Sequence, residues 1–207
     1  MLEKYMTFIK NLLKKVFNRR NSALVQKSQN HLKVAVGSGP IRIPGWLNTN
    51  IDQLNVLKRR DWEKQFDPAT IDVILAEHVW EHLTPDDGLI AARYCFEFLK
   101  PGGHLRLAVP DGYHPREEYI EAVKPGGFGD GSDDHKILYT HESLATLLTE
   151  AGFNIRLLEY FDHCGDFHEQ PWNASQGQIR RSAANDPRNK SVKLTYTSLS
   201  IDGIKPA

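Results

Sequence analysis

Two cysteines, Cys95 and Cys164, stand far apart in the chain and match no metal or redox spacing. With so few thiols and no signal peptide, a disulfide-stapled secreted domain is not expected, and a reducing compartment, the cytoplasm, is. No run of about 18 apolar residues occurs, so no stretch is expected to span a membrane. Net charge is also absent: 26 Lys and Arg balance 26 Asp and Glu, so no global field recruits nucleic acid. What remains is a chain of 207 residues, long enough for one domain with a real core.

The stretch around which the chain is organised is Lys33 to Asp52, KVAVGSGPIRIPGWLNTNID. Leu32 to Val36 is short and β-branched, which predicts a buried strand. Gly37-Ser38-Gly39-Pro40 follows, a turn where missing side chains let a ligand lie against the backbone. Trp46 to Ile51 reads as a second strand, with Asn50 and Asp52 at its carboxyl end. A glycine turn after one strand and a polar or acidic group after the next is how α/β proteins hold an adenosine ligand. A third buried strand, Ile71 to Ala76, runs into Glu77-His78-Val79-Trp80-Glu81-His82-Leu83. Later comes Phe98-Leu99-Lys100-Pro101-Gly102-Gly103, then a strand from His104 to Val109.

In that order and spacing these segments resemble the class I S-adenosylmethionine-dependent methyltransferases. The small bacterial, type 11-like branch is the nearest in pattern, with its Gly-Cys-Gly-Pro … Pro-Gly-Trp … Asp opening and its His-Val-x-Glu-His-Leu segment. The resemblance covers about Leu32 to Gly152 and the closing strands. It implies a Rossmann-like α/β fold: a seven-stranded, mostly parallel sheet with an antiparallel final strand and a hairpin-like edge. It implies S-adenosylmethionine as cofactor, held by Gly37, Ser38, Gly39, Pro40, Asn50 and Asp52, with Glu77 and His78 lining it. Asp61 would reach the adenine amino group and Trp62 would stack on the ring. Glu81 and His82 fall on the acceptor side. The acceptor is expected to be a small molecule or glycan-like, methylated at oxygen, though the motifs are almost silent on it.

The chain departs from the family in two places. Ala35 stands where an acid usually precedes the first glycine by two positions, which removes one partner for the cofactor's amino-acid end. Ile41 replaces the third glycine. The connection from Gly37 to Gly45 is also too short for a crossover helix, so something else must cover that part of the sheet.

Residues 1–20 carry apolar side chains at helical spacing and six Lys or Arg against one Glu. An amphipathic helix is expected there, docked on protein, on a second copy, or on an anionic membrane surface. With the polar linker to residue 30 it precedes the domain proper, 31–207, which carries insertions near 112–135 and 162–193. Thr84 should cap a helix with an apolar stripe of Ile90, Tyr94, Phe98 and Leu99, and Pro115 should start a short helix through Val123. The glycine-rich stretch from Pro125 to Asp134 reads as a lid. Thr140 should cap a helix ended by Gly152. Phe153 to Phe161 and Leu194 to Ile201 read as the last strands, joined by a long polar segment, Asp162 to Lys193, which holds His163, His168, Glu169, Trp172 and Arg180-Arg181 and, with the glycine loop, reads as a substrate-binding piece.

His78-Val79-Trp80-Glu81-His82 is literally the His-x-x-Glu-His pattern of inverted zinc peptidases, which requires a long helix. A peptidase is therefore one alternative, and a non-catalytic cofactor-binding module is another. The remaining histidines, His135, His141, His163 and His168, fit no zinc signature, and no metal ligand is assigned. A hydroxyl acceptor calls for a base near neutral pKa. His135, after the glycine loop and two carboxylates, is the first candidate, and His82 the rival.

Overall fold

The computed structural model describes residues 31–189 and 194–207. The helix expected over 1–20 and the linker after it lie outside the described residues. One seven-stranded sheet runs in the order β2-β1-β3-β4-β7-β5-β6. Its strands are β1 Lys33–Val36, β2 Leu47–Asn48, β3 Ile71–Glu77, β4 Leu99–Pro110, β5 Asn154–Phe161, β6 Phe167–Glu169 and β7 Ser198–Ile204. β1 pairs in parallel with β2 and β3, and β3 with β4, whereas β7 is antiparallel to both β4 and β5. The fold is Rossmann-like α/β with an antiparallel final strand, as the family pattern implies. Among the described residues no helix is long and apolar enough to cross a membrane.

Three strand expectations need correction. The ladder of β2 holds only Leu47 and Asn48, because the Asn48 side chain turns back to Ile43 and Trp46 and a turn begins at Asn50. The final strand is Ser198–Ile204 rather than Leu194 to Ile201, since its inward residues alternate Leu199 and Ile201 with buried Ser198, Ser200 and Asp202. That polar half disguises the strand. β7 also inserts between β4 and β5 instead of forming the edge, and the edge hairpin is β5 with β6.

Alternation sends the two sets of side chains to different covers. Val34, Val36, Ile74, Ala76, Leu105 and Leu107 share one cluster with Phe98, Leu144 and Leu148 of the helices α2 (Pro85–Phe98) and α4 (His141–Glu150). α2 is capped by Thr84, whose Oγ1 accepts from Asp87 N–H at 3.2 Å. Of the expected stripe Phe98 and Leu99 are buried and Tyr94 packs partly on the core, but Ile90 is exposed, and Gly88, Ala91, Ala92 and Cys95 complete the inward face. Small residues let α2 lie close, since a Cβ on Gly88 would meet Tyr139 Oη at 3.0 Å and Leu147 at 3.2 Å. α4 begins with a capping box between Thr140 and Ser143, and Gly152, at φ +104°, ends its turn.

Among the described residues, the opposite face has no helix over its centre. Ala35, Val73 and Leu75 pack with Trp46, and Ala108 and Leu158 pack with Ile179 and Trp172 of the long segment after β6. Among the described residues, that segment covers this face of the sheet. It is tied down by fully buried Arg106, which binds Asp202 through Nε and Nη2 at 2.7 and 2.9 Å. Arg106 Nη1 donates to the carbonyls of Asn173 and Gly177 at 3.1 and 2.7 Å. Buried Glu159 accepts from Trp172 Nε1, Ala183 N–H and Thr197 Oγ1 at 3.0, 2.7 and 3.0 Å. Between β2 and β3 lies a short helix α1 (Arg59–Glu63), and α3 (Glu117–Val123) follows β4.

Candidate active site

The carboxyl ends of β1, β3 and β4 lie side by side, because Val36 pairs with Ala76 and Glu77 with Ala108. Open α/β sheets bind ligands at that edge. Gly37 and Gly39 both take left-handed φ, +62° and +58°. A Cβ on Gly37 would lie 2.5 Å from Val79 Cγ2, whereas one on Gly39 would meet nothing within 4 Å. The first glycine is thus demanded by the protein itself, and the second leaves open space above the backbone. Asn50 holds the turn: its Oδ1 accepts from Gly39 N–H at 2.7 Å and its Nδ2 donates to the Gly39 carbonyl at 3.0 Å. One N–H and one lone pair of that amide remain for a ligand. Asp52 is exposed in the turn that follows.

Gly37, Ser38, Ile41, Ile43, Glu77 and Arg180 line one narrow cleft. The Glu77 carboxylate accepts from Arg180 Nε at 3.1 Å and from Arg181 N–H at 2.9 Å. Arg180 belongs to the polar segment read as substrate-binding, but its pairing with Glu77 was not legible, because the partner lies about a hundred positions earlier. His78 follows Glu77 at φ +57°, a left-handed conformation that costs a non-glycine residue about 1–2 kcal/mol. Surrounding contacts hold it there: its N–H donates to the Ala108 carbonyl at 2.8 Å and its Nε2 meets Ser198 Oγ at 3.0 Å.

Beyond His78 the chain makes a 3-10 turn, Trp80–His82, that drops Glu81 inward to 1 % exposure. The Glu81 carbonyl accepts from Lys136 N–H at 2.7 Å, which draws the end of the glycine loop onto the turn. His82 and His135 therefore meet, ring centroids 4.8 Å apart and nearly perpendicular. His135 is buried, and its Nδ1 donates to the Val123 carbonyl at 2.6 Å, so Nε2 carries the free lone pair. His82 Nδ1 lies 3.6 Å from exposed Asp134. The loop itself is folded against α3. Gly127 and Gly129 approach the Ala122 carbonyl so closely that a Cβ would come within 2.5 and 2.8 Å of it.

Next to this edge, Asp111 is buried at the end of β4 and accepts from Tyr113 N–H and Phe161 N–H at 2.9 and 2.8 Å. Burial pushes its carboxyl up to about 6, against those two bonds and the nearby His141. His114, stacked on Tyr119 with centroids 3.9 Å apart, is pushed the other way, down to about 4, by burial and then by Arg116.

A family model described as a methyltransferase domain matches residues 10–158. The chain belongs to that family. No curated protein matches it. Among solved structures, an S-adenosylmethionine-dependent methyltransferase of Thermotoga maritima, described as a possible histamine N-methyltransferase, is 15% identical. That likeness covers 99% of this chain and 96% of the other at a TM-score of 0.52, which shows a shared fold. An Archaeoglobus fulgidus S-adenosylmethionine-dependent methyltransferase is 15% identical over 97% of this chain and 99% of its own, with a TM-score of 0.49. The protein is a class I S-adenosylmethionine-dependent methyltransferase.

Two expectations from the sequence fail against this geometry. Trp62 has no exposed surface; its ring stacks on Phe98 at 5.4 Å and its Nε1 donates to Val56, so it cannot lie on an adenine. The neighbouring Asp61 carboxylate is held by Lys64 Nζ at 2.7 Å, which also keeps its pKa low. The zinc-peptidase reading fails as well. His78 sits in a left-handed turn and His82 in a 3-10 turn, so the His-x-x-Glu-His helix does not exist.

Proposed function

We propose that this methyltransferase acts on a hydroxyl oxygen of a small-molecule or glycan-like acceptor. The observation that carries the reading is the meeting of His82 and His135 beside buried Glu81, at the same strand ends as the glycine turn. An amine can arrive with its own lone pair, but a hydroxyl must lose a proton as the new bond forms, and imidazole is suited to take it. S-adenosylmethionine supplies an electrophilic methyl group on a sulfonium, and the protein's part is to position and exclude water.

The cleft fits that cofactor. Gly39 leaves free space at the backbone, and Glu77 with Arg180 matches the ammonium and carboxylate of its amino-acid end. Glu77 stands on the strand next to Ala35, so it supplies the acid that Ala35 lacks. Asn50 fixes the turn, and Ser38 and Pro40 complete it.

Titration calorimetry with S-adenosylhomocysteine tests the cofactor site: wild type binds, and Glu77→Gln binds at least about tenfold more weakly. Transfer of labelled methyl to a panel of sugars and phenols, beside a panel of amines, tests the acceptor. Product only from the amines would overturn the oxygen assignment. His135→Ala should lower turnover about 100-fold with cofactor affinity near normal.

A further inference from the structure

Glu81, His82 and His135 each offer one ligand atom, and these atoms all lie within 4.8 Å of one another. We propose that this trio is a binding site for one divalent transition-metal ion of the zinc or iron(II) class. The inference rests on the acceptor-side reading above and deepens it: in place of a free imidazole base, an ion held there would bind and acidify the acceptor's hydroxyl, whose proton would pass to water, and a ligating His135 would not itself take it.

Four observations lead to it. Glu81 is 1 % exposed, yet neither of its carboxylate oxygens has a hydrogen-bond partner among the described residues. His78 Nδ1 lies 2.8 Å from Oε1, an ion pair when His78 is protonated though outside hydrogen-bond geometry, and its Nε2 is engaged by Ser198. A buried carboxylate left so is costly without a compensating positive charge. His82 Nδ1 is likewise buried without a hydrogen-bond partner. His135 presents Nε2 because Nδ1 is tied to the Val123 carbonyl, the outer bond that usually orients a metal-bound histidine.

Two imidazoles and one carboxylate are the donor set of zinc and non-haem iron sites, with further positions left for water or substrate. Magnesium and calcium prefer all-oxygen shells and are disfavoured here. Ligand atoms around such an ion stand about 3.3 Å apart, so the trio must close by an ångström or so on binding. His82, with about a third of its side chain exposed, gives solvent access. The arrangement differs from the zinc-peptidase pattern, because His78 is not a ligand and the second histidine comes from beyond the glycine loop.

Cobalt(II) added to the full chain is the probe, read by its visible absorption, with zinc(II) and magnesium(II) as competitors. One equivalent should bind, zinc should displace it, and millimolar magnesium should not. His82→Ala and His135→Ala should each weaken binding at least about 100-fold, and Glu81→Gln serves as a third variant should either alanine unfold. S-adenosylhomocysteine titration of every variant checks the fold and separates the two readings. A wild-type protein that binds the homocysteine but no cobalt overturns the metal site alone; one that binds neither overturns the cofactor reading also. The exposed pair His163 and Cys164, 3.4 Å apart, is the control. Cobalt binding that survives His82→Ala and His135→Ala, or that vanishes only in His163→Ala with Cys164→Ser, overturns the proposal.

Discussion

Gly37 and Gly39 share nearly one φ but face different surroundings, and substitution separates the two demands. Alanine at Gly37 meets both the left-handed backbone and Val79, a stiff neighbour with little room to turn. A loss of about 2–4 kcal/mol is expected, seen as a lower urea midpoint. Alanine at Gly39 meets only the backbone cost, about 1–2 kcal/mol, yet fills the ligand's space. It should fold and fail to bind S-adenosylhomocysteine; normal binding would remove Gly39 from the site. Asp111 and His114 oppose each other in the same range of pH. The raised Asp111 contributes stability that is full below the ordinary carboxylate value and is lost as pH rises to about 6. The depressed His114 contributes stability that is present above the ordinary imidazole value and is lost as pH falls to about 4. Their slopes offset in wild type between about pH 4 and 6. Asp111→Asn should unmask His114, so that the melting temperature climbs with pH across that window more steeply than in wild type. Parallel profiles would mean that Asp111 titrates at its ordinary value.

At the scale of elements, the unusual feature among the described residues is a sheet with helices on one face and a polar segment on the other. Such a segment cannot adhere by apolar area alone, so it is held by buried charge: Arg106 with Asp202, and Glu159 with its three donors. Removing Arg106 leaves Asp202 to half-exposed Arg156, 3.2 Å away, and leaves the Asn173 and Gly177 carbonyls without their donor, a loss of about 3 kcal/mol or more. Arg106→Met should therefore be severely destabilising, and Arg106→Met with Asp202→Asn should recover part of the loss. Denaturant melts of the single and double variants check this, and a double variant no better than the single would show that the carbonyls of Asn173 and Gly177 matter more than Asp202. Glu159→Gln exchanges an acceptor for a donor facing Ala183 N–H or Trp172 Nε1, and should speed hydrogen exchange in residues 172–186 before the rest of the sheet.

Across the whole molecule, what could be read in advance was whatever is local in sequence. Thr84 and Thr140 announced their helices through capping residues, and the strands from Leu32 and Ile71 through short β-branched runs. The glycine turn was equally plain. What stayed hidden depends on distant partners. β7 was blurred because half its side chains are polar to suit Arg106 and the segment beneath, and Trp62 read as a ligand platform because its cover, Phe98, arrives from another helix. Arg180 stood out only as one of a pair of arginines in the long polar segment, and nothing local pointed to its place opposite Glu77. The cleft thus joins the helical half, through the glycine turn and β3, to the polar cover, through Arg180. A ligand seated there should stabilise the fold as a whole. At 100 times its dissociation constant S-adenosylhomocysteine adds about 2.7 kcal/mol, or roughly 5–11 °C in melting temperature for a domain of this size. Arg180→Ala leaves the sheet core untouched but removes the cover's share of the site. At the same ligand concentration its shift should fall to less than half that of wild type, while its melting temperature without ligand changes by only a degree or two. An undiminished shift would place the ligand's anionic end elsewhere and confine the site to the glycine turn and Glu77.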